Sequence, residues 1–426
     1  MSDRNGGPLK VVIVGQGYVG LPLAMRAVEV GHVVVGYDVA DERVKRLGAG
    51  ESYVEDISAE ALATALETGR YLPTSDAIHC AGFDVAVITV PTPLREGAPD
   101  LSYIEAATET LAPHLRPGAT VVLESTTYPG TTEELVLPLL EAGTDLEAGV
   151  DFHVGYSPER IDPGNLTHTL VNTPKVVSGV GPAALEAVQR FYGSLVETTV
   201  PVSSPRVAEL VKLLENTFRH VNIALVNEVA MFAAELGVDV WEAIDAASTK
   251  PFGFLRFTPG PGVGGHCLPI DPSYLSWRVR RLLNQPFRFV ELANDVNDHM
   301  PDYVVNRLVV ALNRERRAVN GSRILLLGLA YKRNTSDGRE SPAVAVAERL
   351  LALGADVRAA DPHVIEDNGG ARVQRVEATR EEVSAADAVV VLTDHDAFDY
   401  AMVAETATFV LDTRHRLPPG DRVEYL

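Results

Sequence analysis

Cys267 lies in the stretch Gly260-Pro-Gly-Val-Gly264-Gly265-His266-Cys267-Leu-Pro-Ile270-Asp271, with glycines on one side and a carboxylate a few residues on. A cysteine that ionises is a strong nucleophile at neutral pH, unlike a hydroxyl. Glycines let backbone and ligand approach closely. The stretch reads as a nucleophile on a glycine-cushioned loop, and the competing reading is a turn around an inert, packed cysteine. Lys212 and Asn216 are spaced to share one helical face and would offer an ammonium and an amide to a developing oxyanion. His220 and Asn227 continue that polar stripe, whose competing reading is a solvated helix face.

A second group of residues points to a dinucleotide. Gly15-Gln-Gly17-Tyr18-Val19-Gly20 follows a β-branched run, precedes a helical pattern, and Asp38 closes the unit. In such a fingerprint the first glycine makes the turn, the second lets a pyrophosphate approach, and the third packs helix on strand. An acid at the end of the second strand would accept bonds from the ribose hydroxyls and favours NAD over NADP. Tyr18, Val19 and Arg43 count among the expected cofactor contacts. So do Thr89, Pro91 and Thr92 of Thr89-Val-Pro-Thr-Pro93, at a strand's carboxyl end, where the alternative is a merely rigid turn. Ser125-Thr126-Thr127 offers hydroxyls to the same crevice. Glu159, in Tyr-Ser-Pro-Glu159-Arg160, ends another strand and taken alone is a solvated loop carboxylate. Lys332 and Arg339 bracket the loop before a helix start at Ser341-Pro342, where two cations suit a diphosphate. Cys80 reads as a packing residue and His266 as a hydrogen-bonding loop residue; no metal site is expected.

The elements that must hold these groups fall into three parts. Strand-like runs at Lys10–Val14, His32–Tyr37, Asp84–Val90, Thr120–Glu124 and His153–Tyr156 alternate with helical patterns. That alternation predicts an α/β domain with a parallel, doubly wound sheet over residues 1–203. From Ser204-Pro205, apolar residues at Val211, Leu214, Phe218, Val221, Leu225, Val229 and Phe232 predict one long amphipathic helix. It opens a central helical segment, residues 204–302, able to pack within the chain or against another subunit. Alternation resumes with Arg323–Leu327, a helix from Ser341-Pro342 to Leu353, Asp356–Ala360, Ala388–Leu392 and Phe409–Leu411, giving a second α/β domain over 303–426. Its loop Gly328-Leu-Ala-Tyr-Lys332 lacks the glycine fingerprint. The length of 426 residues fits two or three domains. A net charge of -21 disfavours nucleic acid. Two cysteines allow no disulfide framework, and with neither a signal peptide nor a membrane-spanning run the expected compartment is the cytoplasm.

Taken together, GQGYVG, VPTPL, ESTTYPGT, SPERIDPGN, AELVKLLENTFR, GVGGHCLPIDP and AYKRNTSDGRESP resemble, in order and over nearly the whole chain, the UDP-glucose/GDP-mannose dehydrogenases. The resemblance implies an N-terminal Rossmann domain, a central helical dimerisation region and a C-terminal Rossmann-like nucleotide-sugar domain. It also implies an oxidoreductase that uses two NAD to carry C6 of a UDP-sugar from alcohol to uronic acid, as in polysaccharide biosynthesis, in a homodimer or higher oligomer. By the same resemblance Cys267 captures the aldehyde as a thiohemiacetal that becomes a thioester, and Lys212 and Asn216 stabilise oxyanions and hold the sugar. Asp271 helps to position water, and Thr126 and Glu159 form the opposite wall, with Glu159 the expected base. Arg160, Arg256, Gly264 and Lys332 are implied substrate contacts, and Arg339 reaches toward NAD. His266, Ile270 and Pro163 depart from the UDP-glucose branch and match the branch acting on UDP-N-acetylhexosamines. UDP-GlcNAc is the expected substrate, with UDP-ManNAc and UDP-glucose as alternatives. A nucleotide-sugar sensor without turnover would need no nucleophile, and a two-electron dehydrogenase no thiol.

Overall fold

A computed structural model describes residues 7–54, 56–161, 165, 167–265, 267–364 and 373–426, with the backbone alone for Cys267 and Pro269. Pro163 and His266, which carried part of the substrate reading, lie outside the described residues. The chain divides into two compact units, Met1–Glu215 and Asn216–Leu426.

The first unit is built on an eight-stranded sheet. Its strands are β1 (Lys10–Val14), β2 (Val33–Tyr37), β3 (Tyr71–Thr74), β4 (Val85–Ile88), β7 (Thr120–Leu123), β8 (His153–Tyr156), β9 (Lys175–Gly179) and β10 (Thr199–Pro201). A separate hairpin, β5 (Leu94–Arg95) and β6 (Ala98–Pro99), lies between β4 and β7 in sequence. The spatial order is β10-β9-β8-β7-β4-β1-β2-β3. The inner strands are rich in valine and isoleucine and are largely buried on both faces, as a sheet flanked by helices requires. Helices α1 (Gly20–Glu29), α2 (Asp41–Gly48), α3 (Ala59–Glu67), α4 (Ser102–Leu111), α5 (Leu137–Ala142) and α6 (Pro182–Leu195) connect them. Two apolar clusters result, one on each side of the sheet; Leu21, Tyr71 and Phe191 belong to one, Phe83, Phe152 and Tyr156 to the other. The expected strands are present to within two residues at either end. The fully parallel arrangement is not: β9 runs antiparallel to β8, pairing Gly155 with Gly179 and Tyr156 with Ser178, and β10 follows β9 in parallel.

Helix α7 (Pro205–Leu236) begins where the Ser-Pro pair predicts, and α8 (Val240–Ser248), α9 (Cys267–Leu283) and α10 (Arg288–Arg314) follow. In the second unit a six-stranded parallel sheet has the order β13-β12-β11-β14-β15-β16. These are β11 (Arg323–Leu327), β12 (Asp356–Ala360), β13 (Gln374–Arg375), β14 (Ala388–Val391), β15 (Val410–Asp412) and β16 (Val423–Tyr425), joined in part by α11 (Pro342–Ala352), α12 (Arg380–Ala385) and α13 (Tyr400–Thr406). Ser341 caps α11 by accepting the Ala343 N–H at 3.3 Å.

Both sheets use the same device after their first strand. Gly15 and Gly328 have φ near +90° and donate their N–H to the end of the second strand, at Tyr37 and Ala360. The acid after that strand then takes the next backbone donors: Asp38 accepts from Gln16 at 2.8 Å, and Asp361 from Leu329 at 2.6 Å and Ala330 at 2.9 Å. The likeness in layout expected from the sequence is thus a likeness in hydrogen bonding, even without the second and third glycines.

Candidate active site

The glycine loop of the first unit has the shape a dinucleotide needs. A Cβ on Gly20 would lie 1.8 Å from the Gly15 carbonyl oxygen, so only glycine allows α1 to start this close to the strand. A Cβ on Gly17 would meet nothing within 4 Å, which leaves open space above the backbone at the position where a pyrophosphate approaches. Thr89 is buried, and its hydroxyl donates to the carbonyls of Val14 at 2.9 Å and Gly15 at 2.8 Å. It clamps the loop from below. Asp38 bonds the Ala40 N–H and pairs with Arg43 at 2.8 Å. Tyr18 and Pro91 are exposed, Gly17 and Val19 half-buried, and Thr92 buried. These residues fit NAD, with the open cradle over Gly17 as the decisive feature.

Beyond β7 and β8 the same unit carries a buried charged cluster. Glu159, on the segment after β8, accepts through Oε1 from the N–H groups of Arg160 at 2.6 Å and Ile161 at 2.5 Å. Its Oε2 accepts from Lys175 at 3.2 Å. Lys175 also bonds Glu124, which accepts from the Tyr192 hydroxyl as well. Burial opposes ionisation of Glu159, but Lys175, the bond with Glu124, the Ile161 N–H and Lys212 hold it below the usual carboxylate range. Both carboxylate oxygens of Glu159, the expected proton acceptor, are engaged in these bonds. Complete burial and the neighbouring Glu159 push Glu124 above the usual carboxylate range against the pull of Lys175. Lys212, on α7, donates to the Glu159 backbone carbonyl at 2.6 Å. Arg160 forks onto Glu215 at 2.6 and 3.3 Å and donates to Pro174 O. Thr126 is half-buried at the end of β7, before a loop tied to α7 by Glu209; that carboxylate accepts from Gly130 N–H at 2.6 Å and Thr132 N–H at 2.9 Å.

In the second unit Asn216 donates through Nδ2 to Asp271 Oδ2 at 2.6 Å, and both are buried. Cys267 is the first residue of α9, so the expected loop cysteine stands instead at a helix N-terminus, one turn before Asp271. The glycines before it serve packing. A Cβ on Gly264 would lie 2.6 Å from the Glu340 carbonyl oxygen, and one on Gly265 2.7 Å from the Tyr331 ring. Gly260 N–H is held by Asn227 Oδ1 at 2.9 Å. Asn227 in turn donates to Asn297, and His220 meets Asn294 at 2.7 Å. The polar stripe of α7 is therefore inside, not solvated: His220 is 2% exposed and Asn227 0%. Its apolar stripe is outside, with Leu214 62% and Phe232 60% exposed. Among the substrate candidates, Arg256 is exposed and pairs with Asp245 at 2.7 Å, and Lys332 is half-buried. Arg339 is exposed and forks onto Asp337 at 2.9 and 2.6 Å. Lys175, Glu124 and Tyr192 escaped sequence reasoning; a lysine opening a β-branched run and a glutamate before Ser-Thr-Thr were the available signals.

Models of the UDP-glucose/GDP-mannose dehydrogenase family match the chain three times: the NAD-binding domain over residues 9–196, the central domain over 206–299 and the UDP-binding domain over 325–419. The chain is 38% identical over 391 residues to the UDP-N-acetyl-D-mannosamine dehydrogenase of Pyrococcus horikoshii, covering 92% of this chain and 90% of the relative. It is 39% identical over 360 residues to a UDP-N-acetyl-D-glucosamine 6-dehydrogenase of Pseudomonas aeruginosa, covering 84% and 83%. A solved structure of the UDP-D-ManNAc dehydrogenase of Pyrococcus horikoshii superposes with a TM-score of 0.89 at 36% identity, covering 98% of this chain and 99% of that one.

Proposed function

The chain belongs to the UDP-glucose/GDP-mannose dehydrogenase family of NAD-dependent enzymes, and on that footing we propose that it oxidises C6 of UDP-GlcNAc from alcohol to carboxylate. The observation that carries the chemistry is the buried bond from Asn216 to Asp271, which anchors an amide donor against the helix that Cys267 opens. Bound NAD would supply the hydride acceptor for each of two oxidations. The chain's own residues do the rest. A helix N-terminus favours an anion, so a cysteine at the head of α9 is suited to react as its thiolate. Addition of the Cys267 sulfur to the C6 aldehyde forms a thiohemiacetal, which keeps the intermediate bound between the two oxidations. The thioester that follows is released by water, which Asp271 helps to place. The Lys212 ammonium and Asn216 amide, one turn apart on α7, donate to the oxyanion that develops at each addition. Thr126, Glu159 and Arg160 complete the proposed set of polar groups. Arg256, Gly264 and Lys332 contact the nucleotide sugar, and Arg339 reaches toward NAD. Residues 1–203, 204–302 and 303–426 act respectively as cofactor, dimerisation and nucleotide-sugar domains, and two copies pair through the exposed apolar face of α7.

The test mixes the protein with NAD and each of UDP-GlcNAc, UDP-ManNAc and UDP-glucose. Two NADH per sugar and the highest kcat/KM on UDP-GlcNAc are expected. One NADH per sugar sinks the thioester route, and preference for UDP-ManNAc or UDP-glucose replaces the substrate. Cys267→Ser should lose acid formation and keep NAD binding.

A further inference from the structure

We propose that Lys175 is a positioning residue for this reaction: braced by Glu124 and Tyr192, it holds the Glu159 segment so that the Glu159 carbonyl fixes the Lys212 ammonium. The inference rests on the reading of Lys212 as an oxyanion donor. It begins with topology. In the β8/β9 ladder the pairs Gly155 with Gly179 and Tyr156 with Ser178 run antiparallel. Because the direction is reversed, the first residue of β9, Lys175, returns to the carboxyl end of β8 and β7, where Glu159 and Glu124 lie. A parallel β9 would have brought its last residue there instead.

The contacts form a closed chain. Lys175 Nζ donates to one oxygen of Glu124 and to Glu159 Oε2. The Tyr192 hydroxyl, from α6, donates to the other Glu124 oxygen, and its ring centre lies 5.2 Å from the Lys175 ammonium. Glu159 Oε1 takes two consecutive backbone N–H groups, which sets the path of its own segment, and its carbonyl receives Lys212 at 2.6 Å. Lys175 is 3% exposed, and Glu124 1%. Such a cluster is not a stability device, since apolar residues of like volume stabilise a core as well or better. Its position directly behind an oxyanion donor supplies the other reason for it: a fixed ammonium needs no reorganisation when charge develops.

Every charged or titratable neighbour of Glu159 enters: Lys175 from β9, Glu124 after β7, Tyr192 from α6, Lys212 from α7, and Arg160, itself paired with Glu215. Burial opposes the charge on Lys175, but the two carboxylates raise it above its ordinary value, so it stays an ammonium across the working range. Remove it, and Glu159 faces Glu124 without its nearest cation and gains a proton more readily.

Lys175→Met, Lys175→Arg and Tyr192→Phe test this. Each is checked for NAD affinity and thermal midpoint, then followed by the carbon-13 titration of the Glu159 carboxyl, assigned with Glu159→Gln, and by kcat and KM on the nucleotide sugar that the wild type oxidises. Lys175→Met should raise the Glu159 midpoint by about two pH units or more. It should also cut kcat about 100-fold, with KM changed far less, and add an acid limb to the kcat profile. NAD affinity should stay within about twofold, because β8, β7 and β4 separate β9 from β1, which leads into the glycine loop. Lys175→Arg, which keeps the charge, should recover much of the loss. A folded Lys175→Met with unchanged titration and kcat overturns the proposal. If that variant does not fold, Tyr192→Phe decides: a several-fold loss of kcat is expected, and an unchanged kcat with an unchanged pH profile overturns it. Should the wild type oxidise no nucleotide sugar, the functional reading fails, while the carboxyl titration still answers for Lys175.

Discussion

At the scale of single residues the two cysteines part company. Cys80 is fully buried in the first unit, and burial pushes its thiol up to about 11, with Lys10 opposing and Asp76 adding to the rise. It is therefore an inert thiol at neutral pH. Cys267 opens a helix, where an anion is favoured. Brief alkylation of the native protein by iodoacetamide at pH 8, read by peptide mass spectrometry, should modify Cys267 and spare Cys80. Equal labelling of both would contradict the assignment of the nucleophile. The glycines divide in the same way, each by what a Cβ would meet. Gly20 is needed for contact with the Gly15 carbonyl, Gly264 and Gly265 for contact with Glu340 and Tyr331, and Gly17 for the space it leaves. Their identity was legible in sequence; which neighbour demands each was not, because for the second group the neighbours are far along the chain.

At the scale of elements, α7 inverts the usual amphipathic rule. Periodicity identified the helix and the Ser-Pro pair placed its start, but neither said which stripe faces inward. Beside buried Leu213, Ala224 and Ala230, the inward face carries a polar stripe: Glu209, Lys212, Asn216, His220 and Asn227, all partnered. Burial lowers the His220 range, so the imidazole stays neutral in that amide network. Leu214, Phe218, Leu225, Val229 and Phe232 are left on the surface, a row of apolar side chains along one helix. This row is the face through which the proposed pairing of two copies would run. Leu225→Glu combined with Phe232→Glu should shift the protein from dimer to monomer at micromolar concentration, measured by light scattering after gel filtration. An unchanged mass would remove α7 from the assembly.

At the scale of the whole molecule, each of the two units rests on its own sheet, and each sheet is pinned by an acid after its second strand. Asp361 is the stronger case. Its oxygens accept backbone N–H from Leu329, Ala330, His363 and Val364, and His395 meets it at 3.0 Å. Burial resists ionisation, but the His395 bond and these N–H groups hold the carboxyl well below the usual carboxylate range. A carboxyl depressed in the folded state contributes stability above its ordinary range of about 4, and that contribution is lost as pH falls toward the folded value. Asp361→Ala should destabilise the second unit by about 2 kcal/mol or more at pH 7, because five donors lose their acceptor. Hydrogen exchange of the β11 and β12 amides should then speed by about 30-fold. The gap to wild type should narrow below about pH 4. A gap that stays constant with pH would show that the ionised form is not what matters.

Local chemistry was sufficient for much of this protein. The glycine loop, the Ser-Pro helix starts, the valine-rich strands and the cysteine stretch depend on a few adjacent residues, so the order of elements and the dinucleotide site could be read directly from the chain. What only the tertiary structure decided depends on groups distant in sequence. The reversal of β9 follows from how one strand docks against another, and it alone carries Lys175 to Glu124 and Glu159. The inward turn of the polar face of α7 follows from the partners that wait for it, since a buried amide or ammonium is tolerable only where another residue completes its hydrogen bonds.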